Sequence, residues 1–218
     1  MKSLVLLSGG VDSSTCLAMA LDNVEEVIAI SIDYGQSHSK RELQAAKDIA
    51  NYYEVSHRII DLSNIFSASK SSLNSHNNIE ISKGDYASQE DINTEVEFRN
   101  GVFLTVMASI ALQFDASKIY YGAHLDDSGA IYADTSEEFV DAMTKAIDIG
   151  TRSKVELVTP FRDSKKEDIV KVGLKLNLPY ELTYSCYEGG KEPCGECGTC
   201  IDRKKAFIAN GITDEKYF

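Results

Sequence analysis

Hydrophobic residues in this chain fall into short unbroken runs separated by stretches of helical spacing. That rhythm predicts parallel strands buried on both faces and joined by crossover helices. Residues 4–7 (Leu-Val-Leu-Leu) form the first run, and a helix-like stretch occupies 16–21. Residues 27–32 read as a second buried strand and 56–62 as a third. Between them, 41–53 reads as a helix with Leu43, Ala46, Ile49, Ala50 and Tyr53 on one face. Residues 101–114 have the apolar density of a buried helix, and 118–123 form a fourth strand. Ser136 is expected to cap a helix that carries Glu137 and Glu138 in its first turn and runs to Gly150. Residues 155–159 form a fifth strand closed by Pro160, and Ser164 is expected to cap a last long helix over 165–176. The fold class predicted is α/β: a five-stranded parallel doubly wound sheet with ligands at the carboxyl ends of its strands.

Two segments break the rhythm. Residues 63–97 are dense in Ser and Asn and poor in apolar side chains. They are expected to be an excursion, partly helical and partly mobile, that serves as a lid, an oligomer contact or a plain surface insertion. The tail from Tyr184 is rich in Cys and Gly. The expected organisation is an α/β domain over 1–180 and a small C-terminal unit over 181–218.

Composition narrows the functional classes. The 218 residues carry a net charge of −12, which speaks against an extended nucleic-acid surface and for a small-molecule substrate. Hydrophobic residues make up 43% of the chain, enough for a real core, and no run approaches the length of a membrane span. The chain reaches its first strand directly after Met1-Lys2-Ser3, so neither a signal peptide nor a membrane partner is expected, and the expected location is cytoplasmic.

Two local patterns carry chemistry. The first strand leads into Ser8-Gly9-Gly10-Val11-Asp12-Ser13-Ser14-Thr15. A Gly-rich turn between a strand and a helix aims backbone amides and the positive end of the helix dipole at an anion. The hydroxyls of 13–15 add donors. No Gly-Lys-Ser/Thr follows, which excludes a Walker loop, and the Gly-x-Gly-x-x-Gly fingerprint is absent. The second pattern is Cys186-x7-Cys194-x2-Cys197-x2-Cys200, spacing that suits a closed tetrahedral zinc site of structural type, with an iron–sulfur cluster as the rival. Lys191, Arg203, Lys204 and Lys205 are near enough in sequence to offset the charge of four thiolates.

The turn matches Ser-Gly-Gly-x-Asp-Ser, and the chain thereby resembles the PP-loop ATP pyrophosphatases. The segments Ser185 to Gly190 and Pro193 to Cys200 narrow the resemblance to the 7-cyano-7-deazaguanine synthase family of queuosine biosynthesis. Asp33-Tyr34-Gly35-Gln36, Phe98-Arg99-Asn100 and Thr159-Pro160-Phe161 match it in order along nearly the whole chain. One departure stands out: that family usually has Tyr-Pro-Asp-Cys where this chain has Tyr132-Ala133-Asp134-Thr135.

The resemblance implies cleavage of ATP between its α- and β-phosphates, with Mg²⁺, and transfer of AMP to 7-carboxy-7-deazaguanine. Ammonia would then give an amide, and a second activation the nitrile. It also implies a homodimer. Ser8 to Thr15 and Asp33, Tyr34, Gly35 and Gln36 are expected to bind ATP. Asp12, Ser13, Arg99 and Lys165 are expected at the departing pyrophosphate, and Arg99, Asn100, Asp126, Asp127, Tyr132 and Asp134 at the deazapurine. Asp134 is the first candidate for the carboxylate that accepts the paired N–H donors of the base. His38, His57 and His76 are expected to be structural or at the surface, and His124 alone to reach the pocket. The alternatives left open are a tRNA-thiolating PP-loop enzyme and an ATP-dependent amidotransferase.

Overall fold

The computed structural model describes residues 1–23, 26–86, 92–124 and 132–213. Its strands are β1 (Lys2–Leu6), β2 (Glu26–Asp33), β3 (Ser56–Asp61), β4 (Lys118–Tyr120) and β5 (Glu156–Val158). Its helices are α1 (Val11–Asp22), α2 (Ser39–Tyr52), α3 (Arg99–Gln113), α4 (Glu137–Gly150), α5 (Lys166–Lys175) and α6 (Gly198–Ala209). The strands pair in parallel in the order β3-β2-β1-β4-β5. The five-stranded parallel sheet expected from the hydrophobic runs is therefore present.

Strand periodicity divides β1 between two cores. Val5 joins Leu17, Ile49, Ile169 and Phe207 on the face covered by α1, α2, α5 and α6. Leu4 joins Leu104, Met107, Val140 and Ile147 on the face covered by α3 and α4. A third cluster closes the carboxyl end of β2: Ile32 and Tyr34 pack with Phe66, Leu73, Phe103 and three of the four clustered cysteines.

Several expected boundaries move. α1 begins at Val11, so residues 11–15 lie inside the helix rather than ahead of it. Ser136 caps α4 as expected, its hydroxyl accepting from Phe139 N at 3.1 Å. Ser164 does not cap α5. Lys165 is the N-cap, and its own amide donates to Asp168 Oδ2 at 3.2 Å. The described residues of 63–97 are mainly turns and isolated bridges, with Tyr86 in 3-10 conformation; residues 87–91 of the expected partly helical excursion lie outside the described residues. Their backbone is satisfied by the amide side chains that break the apolar rhythm: Asn74 Nδ2 donates to Phe66 O at 2.6 Å, and Asn77 Nδ2 to Ser69 O and Ser71 O. Phe66, Leu73, Ile81 and Val96 are buried, which anchors this stretch in the third cluster.

The tail after 180 packs into the domain. Phe207 of α6 belongs to the main core and lies edge-on to Tyr180 at 4.9 Å. Position 180/181 is no packing boundary.

Candidate active site

The turn after β1 is held in one shape. Gly9 sits at φ +82°, and a Cβ there would meet Ala46 N at 2.4 Å, so only glycine fits against α2. Ser13 Oγ accepts from Ser8 N at 3.1 Å and lies 3.0 Å from Ser8 Oγ, tying the turn to the helix. Gly10 is the N-cap of α1 in extended conformation and offers no side chain to the first-turn amides. Those amides face a cleft of about 230 Å³ bordered by Ser8, Gly10, Val11, Asp12 and Ser13. Gly9, Ser14 and Thr15 do not border it. Thr15 Oγ1 turns inward to Val11 O at 2.8 Å and to the Tyr180 hydroxyl at 3.2 Å, and Ser14 is fully buried.

Asp12 is paired across the cleft floor. Its Oδ2 lies 2.9 Å from Lys166 Nζ and 3.4 Å from His124 Nε2. Burial would raise the Asp12 carboxyl, but Lys166 and His124 outweigh burial and hold it well below the usual carboxylate range. Its Oδ1 is buried and has no hydrogen-bond partner among the described residues. The expected cation is thus displaced by one residue: Lys166, not Lys165, borders the cleft, because α5 starts one position later than the sequence suggests. His124, expected to reach the pocket, contacts Asp12 but is not among the residues bordering the cleft.

The opposite end of the cleft is aromatic. Tyr34, Phe103, Tyr132 and Tyr187 border it together with Arg99, Asn100, His38 and Glu42. Arg99 donates to the Tyr34 hydroxyl at 3.1 Å and stacks over the Tyr34 ring at 5.2 Å. Burial works against the Arg99 charge, yet Tyr34, Tyr187, Asp134 and Glu42 around it keep it cationic. Burial likewise pushes the Tyr34 hydroxyl up to about 12.

Of the Asp33 to Gln36 segment only Tyr34 borders the cleft. Asp33 Oδ1 accepts from Gly35 N at 3.0 Å and Gln36 Oε1 from Tyr34 N at 2.9 Å, so these residues shape the turn. Gly35 holds φ +85°. Asp134, in a single 3-10 turn (Ala133–Thr135), is committed to α3: its Oδ2 accepts from Asn100 N at 2.8 Å. It does not border the cleft, and its Oδ2 is engaged at the start of α3. Asp126 and Asp127 lie outside the described residues.

His38 and Glu42 were not among the expected site residues. His38, read as structural or at the surface, is buried on the cleft wall and its Nε2 lies 3.2 Å from Glu42 Oε2. Their spacing of four at the start of a helix looks like an ordinary solvated ion pair.

The four clustered cysteines bring their Sγ atoms within 4.8 Å of one another. Metal–sulfur bonds of about 2.3 Å would separate the sulfurs of a tetrahedral site by roughly 3.8 Å, so the set fits such an ion. Backbone amides bend toward sulfur: Glu188 and Cys194 donate to Cys186 Sγ at 3.4 and 3.3 Å, Glu196 and Cys197 to Cys194 Sγ at 3.4 and 3.3 Å. Of the four expected counter-cations, Arg203 is buried and donates to Tyr180 O at 3.0 Å and Ser185 Oγ at 3.2 Å, while Lys205 pairs with Asp85. The fifth cysteine, Cys16, is buried in the main core, where burial pushes its thiol up.

The cysteine segment is also cleft wall. Tyr184, Ser185, Tyr187 and Thr199 border the cleft, and Tyr184 N donates to Gly9 O at 2.9 Å. Thr199 Oγ1 bridges Cys197 Sγ at 3.3 Å and Ser185 O at 2.7 Å.

A parallel sheet in this order with a glycine anion turn after β1 defines a protein of the PP-loop fold. Solved structures agree with the fold at 14% identity. NMN synthetase from Francisella tularensis has a TM-score of 0.56 over 99% of this chain and 79% of that one. A 4-thiouridine synthetase in complex with RNA and ATP has 0.53 over 95% and 50%. Within that class the sequence is specific. A model of the queuosine biosynthesis protein QueC family matches residues 2–211, and this chain belongs to that family. Among its relatives, 7-cyano-7-deazaguanine synthase of Archaeoglobus fulgidus is 44% identical over 98% of this chain and 89% of its own length. The synthase of Caldicellulosiruptor saccharolyticus is 42% identical over 98% and 94%.

Proposed function

We propose that this chain makes 7-cyano-7-deazaguanine from 7-carboxy-7-deazaguanine, ammonia and ATP. The observation that carries the reading is the single cleft that the phosphate turn and the cysteine segment wall together, in a chain matched end to end by synthases of that name. A carboxylate is a poor electrophile, so it attacks the α-phosphate of ATP and expels pyrophosphate, giving an acyl-adenylate. Ammonia adds to the acyl carbon, loses a proton and expels AMP to leave the amide. The amide oxygen is adenylated in turn, and loss of AMP and the remaining nitrogen protons forms the nitrile.

The chain's own groups serve the phosphate half of each activation. First-turn amides of α1 and the Lys166 ammonium hold the charge that develops on pyrophosphate. Asp12 orients Lys166, and its unpartnered Oδ1 is the oxygen that would hold Mg²⁺. When bound, Mg²⁺ neutralises phosphate charge. The donor set favours zinc at the four cysteines, with a structural role. No helix among the described residues is long and apolar enough to cross a membrane. A cytoplasmic homodimer without a nucleic-acid partner completes the proposal. Incubation with the acid, ammonia and ATP tests it: nitrile and acid-dependent AMP release are expected, and AMP formation that neither the acid nor its amide stimulates would overturn it.

A further inference from the structure

We propose that Glu42 reads the guanine-like edge of the substrate and is the residue that determines specificity for a 2-amino-6-oxo base. The inference rests on the function proposed above and adds which side chain recognises the acid.

Glu42 is the acidic residue of the aromatic end of the cleft among the described residues bordering it. It stands near Arg99 and in the company of Tyr34, Phe103 and Tyr187, rings among which a planar bicyclic base can stack. Its carboxylate is fixed from behind. Gln36 Nε2 donates to Oε1 at 3.0 Å, and His38 Nε2 lies 3.2 Å from Oε2. Gln36 is itself held, because its Oε1 accepts from Tyr34 N at 2.9 Å. Gln36 and His38 are each about 2–3% exposed, so the two supports have little freedom to turn away.

The occupancy of the carboxylate selects the ligand. An ionised carboxylate accepts about four hydrogen bonds, two on each oxygen. Gln36 takes one acceptor site on Oε1 and the His38 ring only stands against Oε2, which leaves acceptor capacity on both oxygens. Two parallel N–H donors fill such a pair; the ring N–H and the exocyclic amine of a deazaguanine present them in that arrangement. The adenine of ATP offers its 6-amino donor beside an acceptor nitrogen, and an ammonium ion engages a single oxygen, so neither fills both acceptors. Asp134, the first carboxylate expected in this role, has its Oδ2 engaged by the amide of Asn100 and does not border the cleft.

The acid and its analogue lacking the 2-amino group, compared on the wild-type enzyme and on Glu42→Gln, test the assignment. The wild type is expected to favour the acid over the analogue by roughly 10- to 100-fold in kcat/KM, the range for one well-formed bidentate contact. Glu42→Gln is expected to lower kcat/KM for the acid by a similar factor, leave the KM for ATP unchanged and treat acid and analogue alike. An E42Q enzyme that still discriminates as the wild type does would overturn the assignment. If that variant does not fold, a wild type that turns over acid and analogue equally overturns it unaided. A wild type that makes no nitrile from the acid at all would instead overturn the function on which the assignment rests.

Discussion

Lys166 Nζ lies 2.9 Å from Asp12 Oδ2, joining the first turn of α1 to the first residue of α5 across 154 positions of chain. The pair places a cation beside the glycine turn, while Lys165 is the N-cap of α5 and does not border the cleft. Replacing Lys166 with Met is expected to slow AMP release by roughly 10²–10³-fold, the usual loss when one group that stabilises developing charge is removed. Lys165→Ala should change the rate little. Steady-state AMP assays on both variants check this, and equal effects would contradict the placement.

Asp134 Oδ2 accepts from the Asn100 amide in the first turn of α3, and we propose that it holds this helix rather than the base. Asp134→Asn keeps an oxygen for the Asn100 amide, so stability and the KM for the acid should stay within about two-fold of wild type, whereas Asp134→Ala should cost roughly 1–2 kcal/mol as a lost cap. Urea unfolding and substrate titration separate the two outcomes.

The legible part of the molecule is the part written in contiguous residues. The strand runs fix the sheet because a buried parallel strand needs an unbroken apolar run. Ser8 to Thr15 and the cysteine spacing announce their chemistry because turn and ligands come from one short segment each. Lys166 was missed through a one-residue shift: Ser164 looks like the better cap, yet Lys165 takes the position, and helical phase then decides which lysine reaches Asp12. Glu42 was hidden because a glutamate in the first turn of an amphipathic helix ordinarily means solvent and dipole. Only tertiary folding, which buries His38 and Gln36 around it, turns that carboxylate into the cleft.

The cysteine segment should couple metal to cleft shape. Cys200→Ser is expected to abolish stoichiometric metal binding and to lower the melting temperature by roughly 10 °C or more, given about 2–4 °C per kcal/mol for a domain of this size. Cys16→Ser should retain full metal content. Elemental analysis beside thermal melts tests both, and a Cys16 variant that loses metal would contradict the assignment of ligands.

His57 gives the fold a defined pH response. Burial, aided by Lys47, pushes its ring below the usual 6.5, and its Nε2 lies 2.7 Å from Ser31 Oγ. The unfolded chain therefore binds this proton more readily. The stabilisation is complete above about pH 6.5 and is lost as pH falls below it. Between about pH 7.5 and pH 5.5, wild type should lose unfolding free energy more steeply than His57→Gln. Parallel slopes in urea titrations would contradict the assignment.

The central claim is that the substrate's own carboxylate oxygens are activated by adenylation. Acid labelled with ¹⁸O in its carboxylate, incubated with ammonia and ATP, tests that claim most directly. Label appearing in AMP, in step with nitrile formation, is the predicted result. Label in inorganic phosphate with release of ADP, or retained in water with AMP unlabelled, would contradict it.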